Sequence, residues 1–131
     1  MSLPVQQGTT SLLDRAGTGR TLDAYVVGVV FLKDGLLAAA LGDGRVAFIN
    51  SESMNSPSFV SVHDGACLSL AVDPGEQRVL TGGDDARLVS TGTDGETTEI
   101  AAIAGRWVEP IAASRASGLC AAVFGKTVSL F

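Results

Sequence analysis

The residues best suited to chemistry are His63 and Asp64, which precede a segment that carries several hydroxyl side chains. A histidine close to a carboxylate and to Ser69 or Thr81 would have the composition of a nucleophilic triad. However, adjacent residues of a strand point to opposite faces, so His63 and Asp64 do not converge. The chain also lacks the G-x-S-x-G turn that exposes a nucleophilic serine. We therefore favour a structural role for His63.

Three glycine-containing stretches also suggest chemistry. Gly82–Asp85 (GGDD) offers two adjacent carboxylates, whereas calcium needs six or more oxygen ligands. Gly17–Arg20 (GTGR) and Gly125–Thr127 (GKT) lack the full phosphate-loop pattern G-x-x-x-x-G-K-[ST]. Cys67 and Cys120 form no CxxC motif, and both are expected to be free thiols buried in strands. We expect the three glycine-containing stretches to be turns or loops. We expect no catalytic residue, metal or cofactor in this protein.

Trp107 is the only tryptophan, and it follows Arg106 just before an apolar segment. It is either an anchor for a partner or, as large aromatic side chains usually are, a core residue, and we favour the core.

These residues belong to a pattern that recurs along the chain. Asp43-Gly44-Arg45-Val46 and Asp85-Ala86-Arg87-Leu88 lie 42 residues apart, and Gly125-Lys126 follows Asp85 after 40 residues. Each stretch joins two short apolar segments. A further apolar segment lies before each pair and is separated from it by a polar turn. Such a spacing indicates repeated units of a few strands.

The elements that must position the candidate residues are therefore strands. Sixteen glycines and short apolar runs predict an all-β chain with tight turns. Asp43-Gly44 favours a two-residue hairpin with positive φ angles. The run LLAAAL (residues 36–41) is too short for a helix and is bounded by Gly-Asp-Gly. Ser58–Val62 and Glu96–Ile103 are candidate fourth strands of the first two units.

The second unit resembles a WD repeat. His63 matches the family's histidine, Thr81 its hydroxyl residue and Asp85 its turn aspartate, and Thr91 occupies the place of the family's tryptophan. The resemblance implies that His63, Thr81 and Asp85 form a hydrogen-bonded network. The first unit keeps only Asp43, since Ala39 and Ile49 replace the hydroxyl residue and the tryptophan. The third unit has neither the histidine nor the turn aspartate.

The resemblance implies a β-propeller built from blades of four antiparallel strands. We expect about three blades, at residues 24–62, 63–103 and 104–131, after an N-terminal segment (1–23) in which RTL or TTSLL supplies an outer strand. Propellers usually have four to eight blades. We therefore expect a partial propeller that either belongs to a longer one or closes as a homodimer.

Composition limits the partners. Nine basic and 14 acidic residues give a net charge of −5, and the few aromatic residues provide no base-stacking platform, so we expect no nucleic acid. No apolar run is long enough to span a membrane and no signal peptide is recognisable, so we expect a cytoplasmic protein. The resemblance implies a non-catalytic scaffold for an unknown protein or peptide. Partners of the family dock on loops that lead into first strands, so the resemblance also implies a candidate partner surface of five residues: Tyr25, His63, Asp64, Arg106 and Trp107. The alternative is a propeller enzyme, or a small-ligand or sugar-binding module, whose site needs additional blades.

Overall fold

A computed structural model describes Gly17, residues 19–52, Met54 and residues 56–131. The fold is all-β, with antiparallel strands arranged in three sheets. The strands of the first sheet, in spatial order, are β1 (Val26–Phe31), β2 (Leu36–Leu41), β3 (Arg45–Asn50) and β4 (Ser58–Ser61). Those of the second are β5 (Cys67–Val72), β6 (Arg78–Gly83), β7 (Arg87–Gly92) and β8 (Thr97–Ala102). Those of the third are β9 (Val108–Ser114), β10 (Leu119–Phe124) and β11 (Thr127–Leu130).

The expected all-β class is confirmed, and the run of alanines in β2 shows why the sheet prevails over helix propensity. Ala38, Ala39 and Ala40 are at most 1% exposed, so both faces of β2 are covered. A strand covered on both faces is apolar throughout rather than alternating. Small side chains at these positions let the neighbouring layers approach closely.

The turn at Asp43 differs from the predicted two-residue hairpin. Gly44 N–H donates to Leu41 O at 3.0 Å, and only Gly44 has a positive φ, of 92°. The Asp43 carboxylate accepts a bond from the Arg45 N–H, which fixes the turn one residue longer than expected. A Cβ atom on Gly44 would overlap the carbonyl oxygens of His63 and Gly65, so glycine is needed here for space as well as for conformation.

The three sheets stack in chain order. The first strands β1 and β5 contact each other, and so do β5 and β9. One apolar cluster lies between the first and second sheets and includes Val46, Phe48, Val79 and Val89. A second cluster, with Phe124 at its centre, joins the second and third sheets. Because the chain leaves each four-stranded sheet by its last strand and enters the next by its first, consecutive sheets become neighbours.

The N-terminal outer strand expected within residues 1–23 is not found where the chain can be followed. Residues 20–22 (RTL) form no strand, and TTSLL lies outside the described residues. Leu22 instead packs on the outer face of the first sheet with Ala39 and Ile49. Its side chain covers the sheet without adding to it.

Both cysteines are free and buried, as expected. Burial raises the pKa of Cys67 to about 11 and also raises the pKa of Cys120. Both thiols therefore stay protonated at neutral pH. Across the described residues no helix has the length and apolar character needed to cross a membrane.

Candidate functional site

His63 lies in a polar cluster between the first and second sheets. Its Nε2 atom is 2.8 Å from Thr81 Oγ1, and its Nδ1 atom is 2.9 Å from Asp85 Oδ1. The connection from β4 to β5 supplies His63, β6 supplies Thr81, and the turn after β6 supplies Asp85. The imidazole thus ties three separate segments of the chain together, in the set suggested by the WD-repeat resemblance.

Close approach of the backbone makes this cluster possible. A Cβ atom on Gly83 would overlap both the His63 ring and the Asp85 carboxylate, so only glycine fits between them. Thr91, at the position of the family's tryptophan, is fully buried, and its hydroxyl has no hydrogen-bond partner among the described residues. The network therefore ends at Thr81 and does not extend to β7.

Asp85 is the acceptor at the centre of the cluster. Its Oδ2 atom accepts the Asp64 N–H at 3.0 Å, and its Oδ1 atom accepts the Arg87 N–H at 3.3 Å in addition to the bond with His63. Burial opposes ionisation of this carboxyl group, but the bonds from Asp64, His63 and Arg87 outweigh it and hold the pKa of Asp85 below its ordinary value.

Arg87 is a member of the site that the sequence interpretation did not select. Its NH1 atom donates to Val62 O at 2.9 Å, and its Nε atom donates to Glu99 at 2.7 Å. It also lies 3.5 Å from the Asp85 carboxylate. Arg87 thereby joins the connection after β4 and the outer strand β8 to the turn that carries Asp85. The repeat contained the signal, because Arg45 follows Asp43 at the same distance as Arg87 follows Asp85.

The first sheet replaces this polar cluster by apolar packing. Leu22 precedes β1 by the same four positions by which His63 precedes β5. It packs against Ala39 and Ile49, the counterparts of Thr81 and Thr91. Without a histidine to bind, Asp43 turns outward and pairs with Arg45 at 2.8 Å. Equivalent positions are thus held by apolar packing in the first sheet and by hydrogen bonds in the second.

The expected partner surface needs one correction and one change of emphasis. His63 is only 8% exposed and its side chain is enclosed, so it is not a surface residue. Its two ring nitrogens are occupied, which is why it faces inward. Trp107, for which burial was favoured, is 59% exposed. Tyr25, Asp64 and Arg106 are exposed as predicted from their positions before the first strands.

Tyr25, Ala66 and Trp107 occupy equivalent places. Each immediately precedes the first strand of its sheet, and each carbonyl accepts a backbone N–H from the turn between the second and third strands: Gly42 to Tyr25 at 2.8 Å, Asp84 to Ala66 at 3.1 Å and Gly125 to Trp107 at 3.4 Å. Because β1, β5 and β9 are neighbours, the two aromatic side chains lie at the same end of the stack. We call this end, with Tyr25, Asp64, Arg106 and Trp107, the aromatic end.

The triad hypothesis has no support from the geometry. Ser69 Oγ is buried and makes no hydrogen bond among the described residues, while Thr81, which does reach His63, is fully buried. No attacking hydroxyl is therefore accessible to a substrate. The cluster can hold the fold together, but its geometry gives it no route to nucleophilic catalysis.

The glycine-containing stretches are turns only in part: Gly82 and Gly83 end strand β6, and Asp84 and Asp85 lie in the turn that follows. Asp84 in GGDD accepts the Ala66 N–H at 3.0 Å, and the described residues contain no group of three or more His, Cys, Asp or Glu residues able to hold a metal. Gly125-Lys126 is a two-residue turn with a positive φ at Gly125. Gly17–Arg20 includes Thr18, which lies outside the described residues.

One further cleft, of about 450 Å³, opens at the end opposite the aromatic residues. Its charged lining residues are of both signs: Lys33, Asp34, Glu76, Arg78 and Asp94. Arg78 is already bound to Ser90 and to the carbonyl of Glu96. Its donors therefore brace the end of the second sheet.

Comparison with known proteins adds no assignment: no protein-family model matches the chain, and no curated protein is significantly similar to it.

Replacing Asp85 by Ala should destabilise the protein by about 1–3 kcal/mol, because His63 then keeps a buried nitrogen without its partner. The matched control is Asp43→Ala, whose carboxylate is 43% exposed and pairs with an arginine at the surface. That change should cost less than about 1 kcal/mol. Urea unfolding measures both. An unchanged midpoint for Asp85→Ala would contradict a structural role for the cluster.

The lowered pKa of Asp85 predicts how stability depends on pH. A carboxyl group whose pKa is lower in the folded state stabilises that state above the unfolded pKa, near 3.8, and this contribution disappears as the pH falls through the folded pKa. The stability advantage of the native chain over Asp85→Asn should therefore be constant from pH 7 to 5 and shrink below about pH 4. An advantage that stays constant to pH 2 would show that the pKa of Asp85 is the same in the folded and the unfolded protein, so that its partners do not favour the carboxylate.

Proposed function

We propose that the three sheets are blades of a WD-repeat-like β-propeller. Each four-stranded sheet is ordered as the chain runs, and the first strands of successive sheets are neighbours, which suits blades arranged around an axis. The bonds of His63 to Thr81 and Asp85 support the same assignment. The cluster links the turn of one blade to the connection from the preceding blade.

We further propose that the stack closes through a second copy of the chain. Val29 and Phe31 on β1 are 61% and 65% exposed, although their counterparts on β5, Leu70 and Val72, pack against the first sheet. The face of the first sheet that carries Val29 and Phe31 therefore lacks a neighbouring sheet among the described residues.

The third sheet presents the complementary face. Val128 and Leu130 on β11 are 70% and 68% exposed, whereas their counterparts on β3, Val46 and Phe48, are buried against the second sheet. The molecule therefore exposes both halves of an interface that it already forms between its own first and second sheets. Two copies arranged head to tail would bury both faces twice and close a ring with twofold symmetry.

The function that we propose is a non-catalytic scaffold for a protein or peptide partner. The observation that carries it is the aromatic end: Tyr25 is 80% and Trp107 is 59% exposed, and both are held by equivalent backbone bonds at one end of a rigid stack. Exposed tyrosine and tryptophan on a rigid frame are typical anchors of protein interfaces, because they bury a large area and lose little side-chain entropy.

The proposed closure predicts a dimer of the 13.3 kDa chain in sedimentation equilibrium. Leu130→Asp should convert it to monomers, because a charge on this face cannot be buried without a partner. Thr98→Asp, on the exposed outer strand β8, should leave the dimer intact. A wild-type monomer at all concentrations would overturn the closure, and a continuing series of larger species would show an open rather than a closed arrangement.

The scaffold function predicts that a partner protein is lost when the aromatic end is altered. Cross-linked affinity capture from the source cells should recover a protein with the native chain but recover it at least about tenfold less with Tyr25→Ser and Trp107→Ser combined. The control is Leu119→Ser, an exposed residue that begins β10 at the opposite end. Equal recovery by both variants would remove the aromatic end as the docking surface.

A further inference from the structure

The cleft beside Trp107 has a chemistry of its own. It measures about 410 Å³ and is lined by Gly105, Arg106, Trp107, Gly125 and Lys126. We propose that this Trp107 cleft binds an acidic side chain of a partner peptide between Arg106 and Lys126, with an apolar neighbour of that side chain against the indole. The inference rests on the proposed scaffold function and specifies the chemistry of the segment that docks there.

Two turns build the cleft and carry its two cationic residues. The turn before β9 is closed by the Arg106 N–H, which donates to Ile103 O at 3.1 Å, and Gly105 within it has a positive φ of 78°. The Gly125 N–H donates to Trp107 O and joins this turn to the β10–β11 turn. The aliphatic part of Arg106 lies along Gly125, with Cδ 3.6 Å from the place of a Cβ atom. Arg106 is therefore held beside the turn that carries Lys126.

The charges of the cleft lack partners within the described part of the chain. Neither Arg106 nor Lys126 makes an ion pair there, whereas four other arginines each pair with at least one carboxylate: Arg45, Arg78, Arg87 and Arg115. Two neighbouring cations repel each other, and an anion placed between them would remove that repulsion and accept charge-assisted hydrogen bonds from both.

The surroundings favour a peptide carboxylate over a nucleic acid. The chain has a net charge of −5, and the connection from β4 to β5 and the turn after β6 place the exposed Asp64 and Asp84 at the same end. A polyphosphate backbone would meet these carboxylates, whereas a single acidic side chain fits a local pair of cations. Trp107 adds a wide apolar surface beside the charges, which suits a peptide that places an apolar residue next to an acidic one.

Because Trp107 is the only tryptophan, its fluorescence reports directly on the cleft. The probe is a glutamate-rich peptide with one central leucine, titrated at low ionic strength. We expect saturable quenching or a blue shift, and an affinity that falls steeply with added salt. Arg106→Gln combined with Lys126→Gln should weaken binding by about tenfold or more, since charge-assisted bonds are lost.

The matched control variant is Arg115→Gln. The Arg115 side chain is 75% exposed and lies in the β9–β10 hairpin, at the opposite end of the stack. It changes the net charge in the same direction and should leave the affinity within about twofold of the native value. Urea midpoints of both variants check that folding is unaffected. Equal losses in the two variants would overturn the assignment, because they would reflect net charge rather than the cleft.

Three outcomes of the titrations would contradict binding of an acidic peptide. A lysine-rich peptide that binds as well as the glutamate-rich one, or a native chain whose fluorescence never responds, would overturn the proposal. Inorganic phosphate that binds as tightly as the peptide would also overturn it, because the site would then take a free anion. If the peptide does not bind as expected while the combined Tyr25→Ser and Trp107→Ser variant still loses the partner protein, the scaffold function stands and only the charge assignment is wrong.

Discussion

The structure depends most on one buried imidazole. His63 is enclosed between a hydroxyl and a carboxylate that come from different strands and turns, and it can be buried only because both ring nitrogens have partners. Asp85 in turn is held by the Asp64 and Arg87 N–H groups. This chain of bonds joins the end of the first sheet to the turn of the second, and so sets how the two sheets lie on each other.

The same constraint explains the shape of the aromatic end. The turn that carries Asp85 also donates a backbone N–H to the residue before β5, and the equivalent bonds in the other sheets hold Tyr25 and Trp107. Large aromatic side chains can stay exposed at these positions because their backbone is already fixed by the turns. The surface proposed for partners is thus a consequence of the packing between sheets. The backbone bonds that stabilise the sheets therefore also hold the surface that we propose for partner binding.

Equivalent positions in the first and second sheets are filled in two different ways, by apolar side chains in the first and by the polar cluster in the second. Leu22, Ala39 and Ile49 fill with hydrocarbon the space that His63, Thr81 and Thr91 occupy in the second sheet. Apolar packing is not directional, whereas the imidazole can form its two hydrogen bonds in only one orientation. The imidazole therefore fixes how the turn of the second sheet lies against the preceding connection. The buried Thr91 hydroxyl has no hydrogen-bond partner among the residues that the structure describes.

The repeat spacing by itself determined the strands, because periodic apolar runs and Asp-Gly turns act locally. His63, Thr81 and Asp85 were selected by the resemblance of the second unit to a WD repeat, since only the turn aspartate recurs in the first unit and none of the three recurs in the third. Only the tertiary structure decided which residues are buried: His63 faces inward and Trp107 outward, since exposure depends on which sheet covers a face. The length of the turn at Asp43 was likewise decided by the bond to Arg45 and the close approach of Gly65. The bond to Arg45 is local, but the approach of His63 and Gly65 to Gly44 joins separate parts of the chain, which local patterns do not encode.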